Sequence, residues 1–224
     1  RKEFALMGVE VRRKVKPVIE LMEALPNPVI ASAVRRLDTD DAAYLIEDMD
    51  EEDQREILDA VPGAERAALS RALDYPEDSA GRLMQTEFVA APPFWTVGQT
   101  LDFIAREARK LPENFVEVYV VDPLYHLVGV VPTARLLRKN REAKIADIMD
   151  DEQTVFDVND SAGDIAFRFQ KYRLYSAAVT DAAGRLVGML TIDDVVDVIQ
   201  EEATEEILHL GGVGDEELSD TVWN

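Results

Sequence analysis

Apolar positions in the first third of the chain recur at helical spacing. Ala42, Leu45, Ile46 and Met49 stand at i, i+3, i+4 and i+7, one stripe of an amphipathic helix, and Asp38-Thr39-Asp40 supplies an N-cap and an acidic first turn. A second helix is predicted from about Glu51, with Ile57 and Leu58 turned inward. Pro26, Pro28, Pro62 and Pro76 punctuate these segments, because proline removes a backbone donor and clashes with a preceding turn. No stretch here alternates as a strand does. Residues 1–82 therefore read as an all-helical domain of short helices.

From about Leu83 the texture changes. Val116-Glu117-Val118-Tyr119-Val120-Val121 and Leu127-Val128-Gly129-Val130-Val131 are β-branched runs separated by turn residues. The pattern then repeats: Val120-Val121-Asp122 and Leu127-Val128-Gly129 return as Val179-Thr180-Asp181 and Leu186-Val187-Gly188, a shift of 59 positions. Upstream, Leu83-Met84 and Ile148-Met149 each introduce an extended stretch, Phe88-Val89-Ala90 and Thr154-Val155-Phe156. Helices are expected near Leu101 to Ala108 and Ala162 to Tyr172. Two β-α-β-β-α units of about 60 residues, neither able to close a core alone, predict a paired, pseudo-symmetric α/β module. The fold class is α followed by α/β: a helical N-terminal domain, a tandem pair of such units and a final helix.

Charge changes the picture more than composition does. The net charge is −21, which excludes a protein that tracks nucleic-acid phosphates with clustered Lys and Arg. Asp38 to Asp59 holds eleven acidic residues against the single Arg55, and Leu186 to Asn224 holds eleven with no Lys or Arg, so these two stretches carry all of the excess. Either they are solvated helix faces, or they are two parts of one cation site. There is no cysteine, which removes disulfides and thiolate metal sites. No apolar run approaches the ~18 residues of a membrane helix and no signal-peptide pattern is present, so a cytosolic location is expected. The start at Arg1 and the end at Trp223-Asn224 suggest a fragment whose remainder is membrane-bound. Catalysis is not expected, because no Gly-rich phosphate loop, nucleophile elbow or His-x-x-x-His spacing occurs. The two histidines, His126 in a predicted turn and His209 at the end of an acidic helix, read as structural or solvent-exposed.

The repeat, with D-x(4)-L-V-G-x-x running into a helix, resembles the CBS (Bateman) module. Its second copy continues Thr191-Ile192-Asp193-Asp194, similar to the T-x-x-D of nucleotide-binding CBS repeats. A carboxylate at a helix start can accept from both ribose hydroxyls while the threonine contacts phosphate. Thr191 and Asp194 are therefore candidates for binding ATP or another adenine nucleotide, with a simple helix N-cap as the alternative. The first copy has Pro132-Thr133-Ala134-Arg135 in the same place, an arginine instead of the acid.

Two further segments resemble the MgtE-type magnesium transporters: Tyr75-Pro76-Glu77-Asp78-Ser79-Ala80-Gly81-Arg82-Leu83-Met84, like that family's E-D-x-A-G-x-L-M junction, and residues 193–207, like its exit from the second repeat into a connecting helix. The resemblance divides the chain into a helical acidic N-type domain (1–82), CBS repeat 1 (83–144), CBS repeat 2 (145–200) and a connecting helix leading towards an absent membrane domain (201–224). It implies a homodimer at the cytoplasmic face of the cell membrane, attached to its own transmembrane domain, whose acidic faces bind Mg²⁺ and close the pore. The matching acids are Asp40, Asp194, Asp197, Glu202, Glu205 and Glu206, with Asp41 adjacent. Ser161, Gly163, Arg173 and Tyr44 stand where the family tends to have acids, and Asp160 and Asp164 are possible substitutes.

The residues fit that role in their own right. Asp194, Asp197, Glu201 and Glu205 share one face of the last helix, opposite Val196, Ile199, Ala203, Ile207 and Leu210. Glu201/Glu205 and Glu202/Glu206 are like-charge i, i+4 pairs, each destabilising by roughly 0.2–0.5 kcal/mol. Carboxylate oxygens without Cys or clustered His suit Mg²⁺ or Ca²⁺, and no EF-hand loop is present. The rival reading is a stand-alone CBS-type adenine-nucleotide sensor acting on a soluble partner, which shares every feature of residues 83–200.

Overall fold

A computed structural model describes residues 25–47, 49–112, 114–196 and 198–200. The expected helical domain is formed by α1 (Asn27–Val34), α2 (Thr39–Ile46), α3 (Glu51–Ala60) and α4 (Gly63–Asp74). Its core is the predicted stripe and its neighbours: Ala42, Ile46 and Ile57 are buried with Ile30, Val34 and Leu69, and Leu45, Met49 and Leu58 pack at the edge. Pro28 lies in the first turn of α1, where its missing N–H costs nothing. Asp38 holds the N-cap position of α2 but makes no side-chain capping bond. The expected cap is supplied from elsewhere.

A short α5 (Ala80–Leu83) leads into the repeats. The first comprises β1 (Ala90–Ala91), α6 (Val97–Glu107), β2 (Glu117–Val121), β3 (Leu127–Pro132) and α7 (Thr133–Arg138). The second comprises β4 (Val155–Asp157), α8 (Ala162–Tyr172), β5 (Ser176–Thr180) and β6 (Leu186–Thr191), and residues 192–196 and 198–200 are again helical. Each sheet has three strands, the first parallel to the second and the second antiparallel to the third. The repeat holds in detail. Register irregularities fall at Val120/Val121 and Val179/Thr180, and the turn residues with positive φ are Tyr125 (70°) and Gly184 (76°), each pair 59 positions apart in the sequence. Helix α6 starts on a capping box between Thr96 and Gln99, and α8 starts on Ser161, whose hydroxyl accepts from the Asp164 N–H.

The segment before each repeat packs on the other repeat. Ala80 and Met84 lie in the second core with Phe156, Ile165 and Phe169, whereas Ile148 lies in the first with Val118, Val131 and Leu136. Gln85 bridges to Met189 of β6, and Asp150 bridges to Val130 of β3. The divisions at 82/83 and 144/145 thus run through exchanged segments, which ties the two halves into one module. Between the sheets Tyr119, Val121 and Val130 meet Ala178, Leu186 and Met189 in a shared seam.

Candidate functional site

The exit of β6 into the last helical stretch brings Thr191 and Asp194 together. Asp194 is buried, and its Oδ2 accepts from the Thr191 N–H at 3.2 Å and from the Thr191 hydroxyl. The exchanged segment adds Gln85, which donates from Nε2 to the same oxygen at 3.5 Å. Thr191 pairs with Ser176 across the sheet, and the Ser176 hydroxyl donates at 2.7 Å to Oε2 of Glu117 at the start of β2. A carboxylate, two hydroxyls and an amide thus gather at one strand-to-helix turn, a donor set that fits a hydroxyl-rich ligand such as a ribose. The capping role and the candidate binding role fall on the same atoms.

The equivalent turn of the first repeat is built differently. Arg135 donates through Nη1 to the Ile148 carbonyl at 2.9 Å and to Asp150 Oδ1 at 2.7 Å, so arginine there clamps the exchanged segment. Asp150 holds the place that Gln85 holds in the other half, and an ion pair replaces an amide–carboxylate contact. Glu117 stands opposite its repeat-mate Ser176. Burial is the main cause that pushes its carboxyl upward, the Ser176 hydrogen bond opposes this, and the charge of Asp150 adds to it. A raised folded-state value means that the folded protein holds this proton more tightly than the unfolded chain. Stability therefore falls as pH rises above the ordinary 4.5. Glu117→Gln keeps an acceptor for Ser176 and removes the titration. The variant should melt higher than the parent at about pH 7.5 and converge on it near pH 4, with every tenfold difference in proton affinity worth about 1.4 kcal/mol. Thermal melts at the two pH values check this, and an offset independent of pH would contradict it.

Of the other candidates, Asp40 and Asp41 lie in the first turn of α2 and are buried, with 9% and 7% of their surface exposed. Among the described residues, no group of three or more His, Cys, Asp or Glu side chains is placed to hold a metal ion, so Asp40, Asp41 and Asp194 do not make a three-carboxylate site by themselves. Asp197, Glu202, Glu205 and Glu206 lie outside the described residues. Asp160 and Asp164 both face Arg168 Nη1 at 3.4 Å, Ser161 caps α8, and Arg173 takes a left-handed conformation at its end. His126 bonds through Nδ1 to Asp122 at 2.9 Å, a turn-stabilising contact as expected. Sequence reasoning missed Gln85 and Glu117. The repeat offset could have found Glu117, as the counterpart of Ser176, but nothing local marks Gln85.

The comparisons agree with this architecture. Residues 14–78 match the family of the MgtE intracellular N domain, and residues 145–201 match the CBS domain family. A crystal structure of the soluble part of a magnesium transporter is 30% identical, with a TM-score of 0.75 over 80% of this chain and 70% of that one. The chain belongs to the MgtE family. A structure of the cytosolic domain of the Mg²⁺ channel MgtE in complex with ATP is 29% identical, with a TM-score of 0.78 over 85% of this chain and 78% of that one. The magnesium transporter MgtE of Thermus thermophilus is 34% identical over 82% of this chain, and that of Enterococcus faecalis is 33% identical over 70%. This MgtE-family chain spans 39% and 34% of the length of those two curated relatives. Among the described residues no helix is long and apolar enough to cross a membrane.

Proposed function

We propose that this chain is the cytosolic Mg²⁺-sensing region of a magnesium transporter or channel, a regulatory part and not an enzyme, which closes the pore of its own transmembrane domain when cytosolic magnesium is plentiful. The observation that carries the reading is the confinement of the whole charge excess to two stretches, one centred on α2 and α3 and the other starting at Asp193 and Asp194. Neither stretch contains enough basic residues to neutralise it, and bringing two such faces together is unfavourable until the charge is offset. Divalent cations supply that positive charge. The carboxylates of Asp40, Asp41, Asp194, Asp197, Glu202, Glu205 and Glu206 would hold them. The working unit is a homodimer. In support, Phe167 and Tyr172 of α8 are exposed, with Lys171 Nζ 5.2 and 5.1 Å from their ring centroids, a surface suited to another protein face. ATP or a related adenine nucleotide is assigned to Thr191 and Asp194, supported by the donor set at that turn and by the ATP complex of a relative.

The test is the triple change Glu202→Gln, Glu205→Gln and Glu206→Gln. It removes three charges with little change in volume or helix propensity, so the fold survives. Small-angle scattering and thermal melts, with Mg²⁺ and EDTA at matched ionic strength, should show a much smaller compaction and stabilisation than in the parent. An unchanged midpoint and amplitude would show that these glutamates are only a solvated face.

A further inference from the structure

The first repeat carries its charges in different places from the second. In the second, Ser176 and Thr191 face each other across the sheet, and Asp194 lies in the first turn of the helical stretch. The residues 59 positions earlier are Glu117, Pro132 and Arg135, with Glu117 opposite Pro132. This acid and this arginine do not pair. Arg135 is taken up by Asp150 at 2.7 Å and by the Ile148 carbonyl at 2.9 Å, whereas Glu117 accepts from the Ser176 hydroxyl at 2.7 Å. A half-buried carboxylate therefore stands beside the candidate nucleotide turn with Arg135 turned away from it.

The direction of the protons decides what the turn can hold. A hydroxyl has one proton to donate. Ser176 gives its proton to Glu117, and Thr191 gives its own to the carboxylates of Asp193 and Asp194. Gln85 Nε2 likewise donates to Asp194, at 3.5 Å. The side chains of the turn thus meet a ligand with lone pairs and carboxylates. Such a surface accepts from ribose hydroxyls and amino groups and offers little to phosphate oxygens, which are acceptors themselves.

We propose that Glu117 makes this turn selective for the nucleoside end of an adenine nucleotide and sets it against phosphate. It draws the Ser176 proton away from the ligand, and it adds a negative charge whose repulsion grows with every phosphate. The inference rests on the assignment of the nucleotide to Thr191 and Asp194. Burial pushes the Glu117 carboxyl upward, a sign of poorly screened surroundings in which charges act over longer distances. Glu117 therefore costs adenosine little, and costs AMP, ADP and ATP progressively more.

Titration calorimetry at pH 8 without divalent ions, with adenosine, AMP, ADP and ATP, tests this on the parent and on E117Q, which keeps an acceptor for Ser176 and loses the charge. E117Q should gain at least about tenfold in affinity for ATP and less than about twofold for adenosine, with AMP and ADP between them. The gain for ATP should shrink as salt rises. Where circular dichroism shows E117Q to be misfolded, E117S is read instead, since it supplies the hydroxyl that the repeat-mate carries. An equal change for all four compounds, or an unchanged ATP affinity, overturns the proposal and leaves the nucleotide assignment in place. A parent that binds none of the four overturns the assignment itself and the proposal with it.

Discussion

Asp194→Ala should lower the affinity for ATP by at least about 100-fold. The estimate rests on two ribose hydroxyls donating to one carboxylate at roughly 1.5–3 kcal/mol each for hydrogen bonds to a charged group, which together correspond to about 10²–10⁴ in affinity. The side chain has only 9% of its surface exposed and is oriented by the Thr191 N–H and hydroxyl and by Gln85, so little ordering cost remains when a ligand arrives. The same substitution removes the acceptor at the start of the last helical stretch, costing about 1 kcal/mol of stability. Asp194→Asn separates the two effects, since it keeps the shape and an acceptor and should bind with intermediate affinity. Titration calorimetry without divalent ions is the measurement, because Asp194 is also a metal candidate. An alanine variant that binds as tightly as the parent would move the nucleotide elsewhere and leave Thr191 and Asp194 as a helix cap alone.

Gly188→Ala should destabilise the CBS pair by about 1–3 kcal/mol, the range for forcing extra atoms into a packed core. A Cβ at Gly188 would stand 2.5 Å from Met84 Sδ, 2.8 Å from Met84 Cγ and 2.9 Å from the Gln85 carbonyl oxygen. The methionine can shift. The carbonyl cannot shift freely, because it accepts from the Met189 N–H in the bridge that seats the exchanged segment. Gly129→Ala meets the mirror situation, 2.8 Å from the Asp150 carbonyl oxygen and 2.9 Å from Met149 Sδ, and should lose a similar amount. For a chain of this size the drop in melting temperature is roughly 2–4 °C per kcal/mol. Gly63, with nothing within 4 Å of its added Cβ, is the internal control, and Gly63→Ala should be neutral or slightly stabilising. Parent-like melting of both Gly129→Ala and Gly188→Ala would mean that the reciprocal exchange of segments is not how this module packs.

Much of the architecture was written in the spacing of residues. The helical stripe through Ala42, Leu45, Ile46 and Met49, the strand runs, the shift of 59 positions and the candidate pair Thr191/Asp194 are all local patterns, and local patterns follow from backbone periods of 3.6 and 2 that each segment satisfies by itself. The segregation of charge was equally plain, since it needs only counting. Tertiary structure alone decided which segment pairs with which. Glu87 caps α2 across 48 residues, Ser176 meets Glu117 across 59, and Gln85 reaches Asp194 across 109. In the same way Met84 belongs to the second core and Ile148 to the first, against their order in the chain. A glutamine or a glutamate in a linker has no periodicity to betray its partner. Its role appears only when packing brings a donor or acceptor from far along the chain to within 3.5 Å, because a hydrogen bond depends on distance in space and not on separation in sequence.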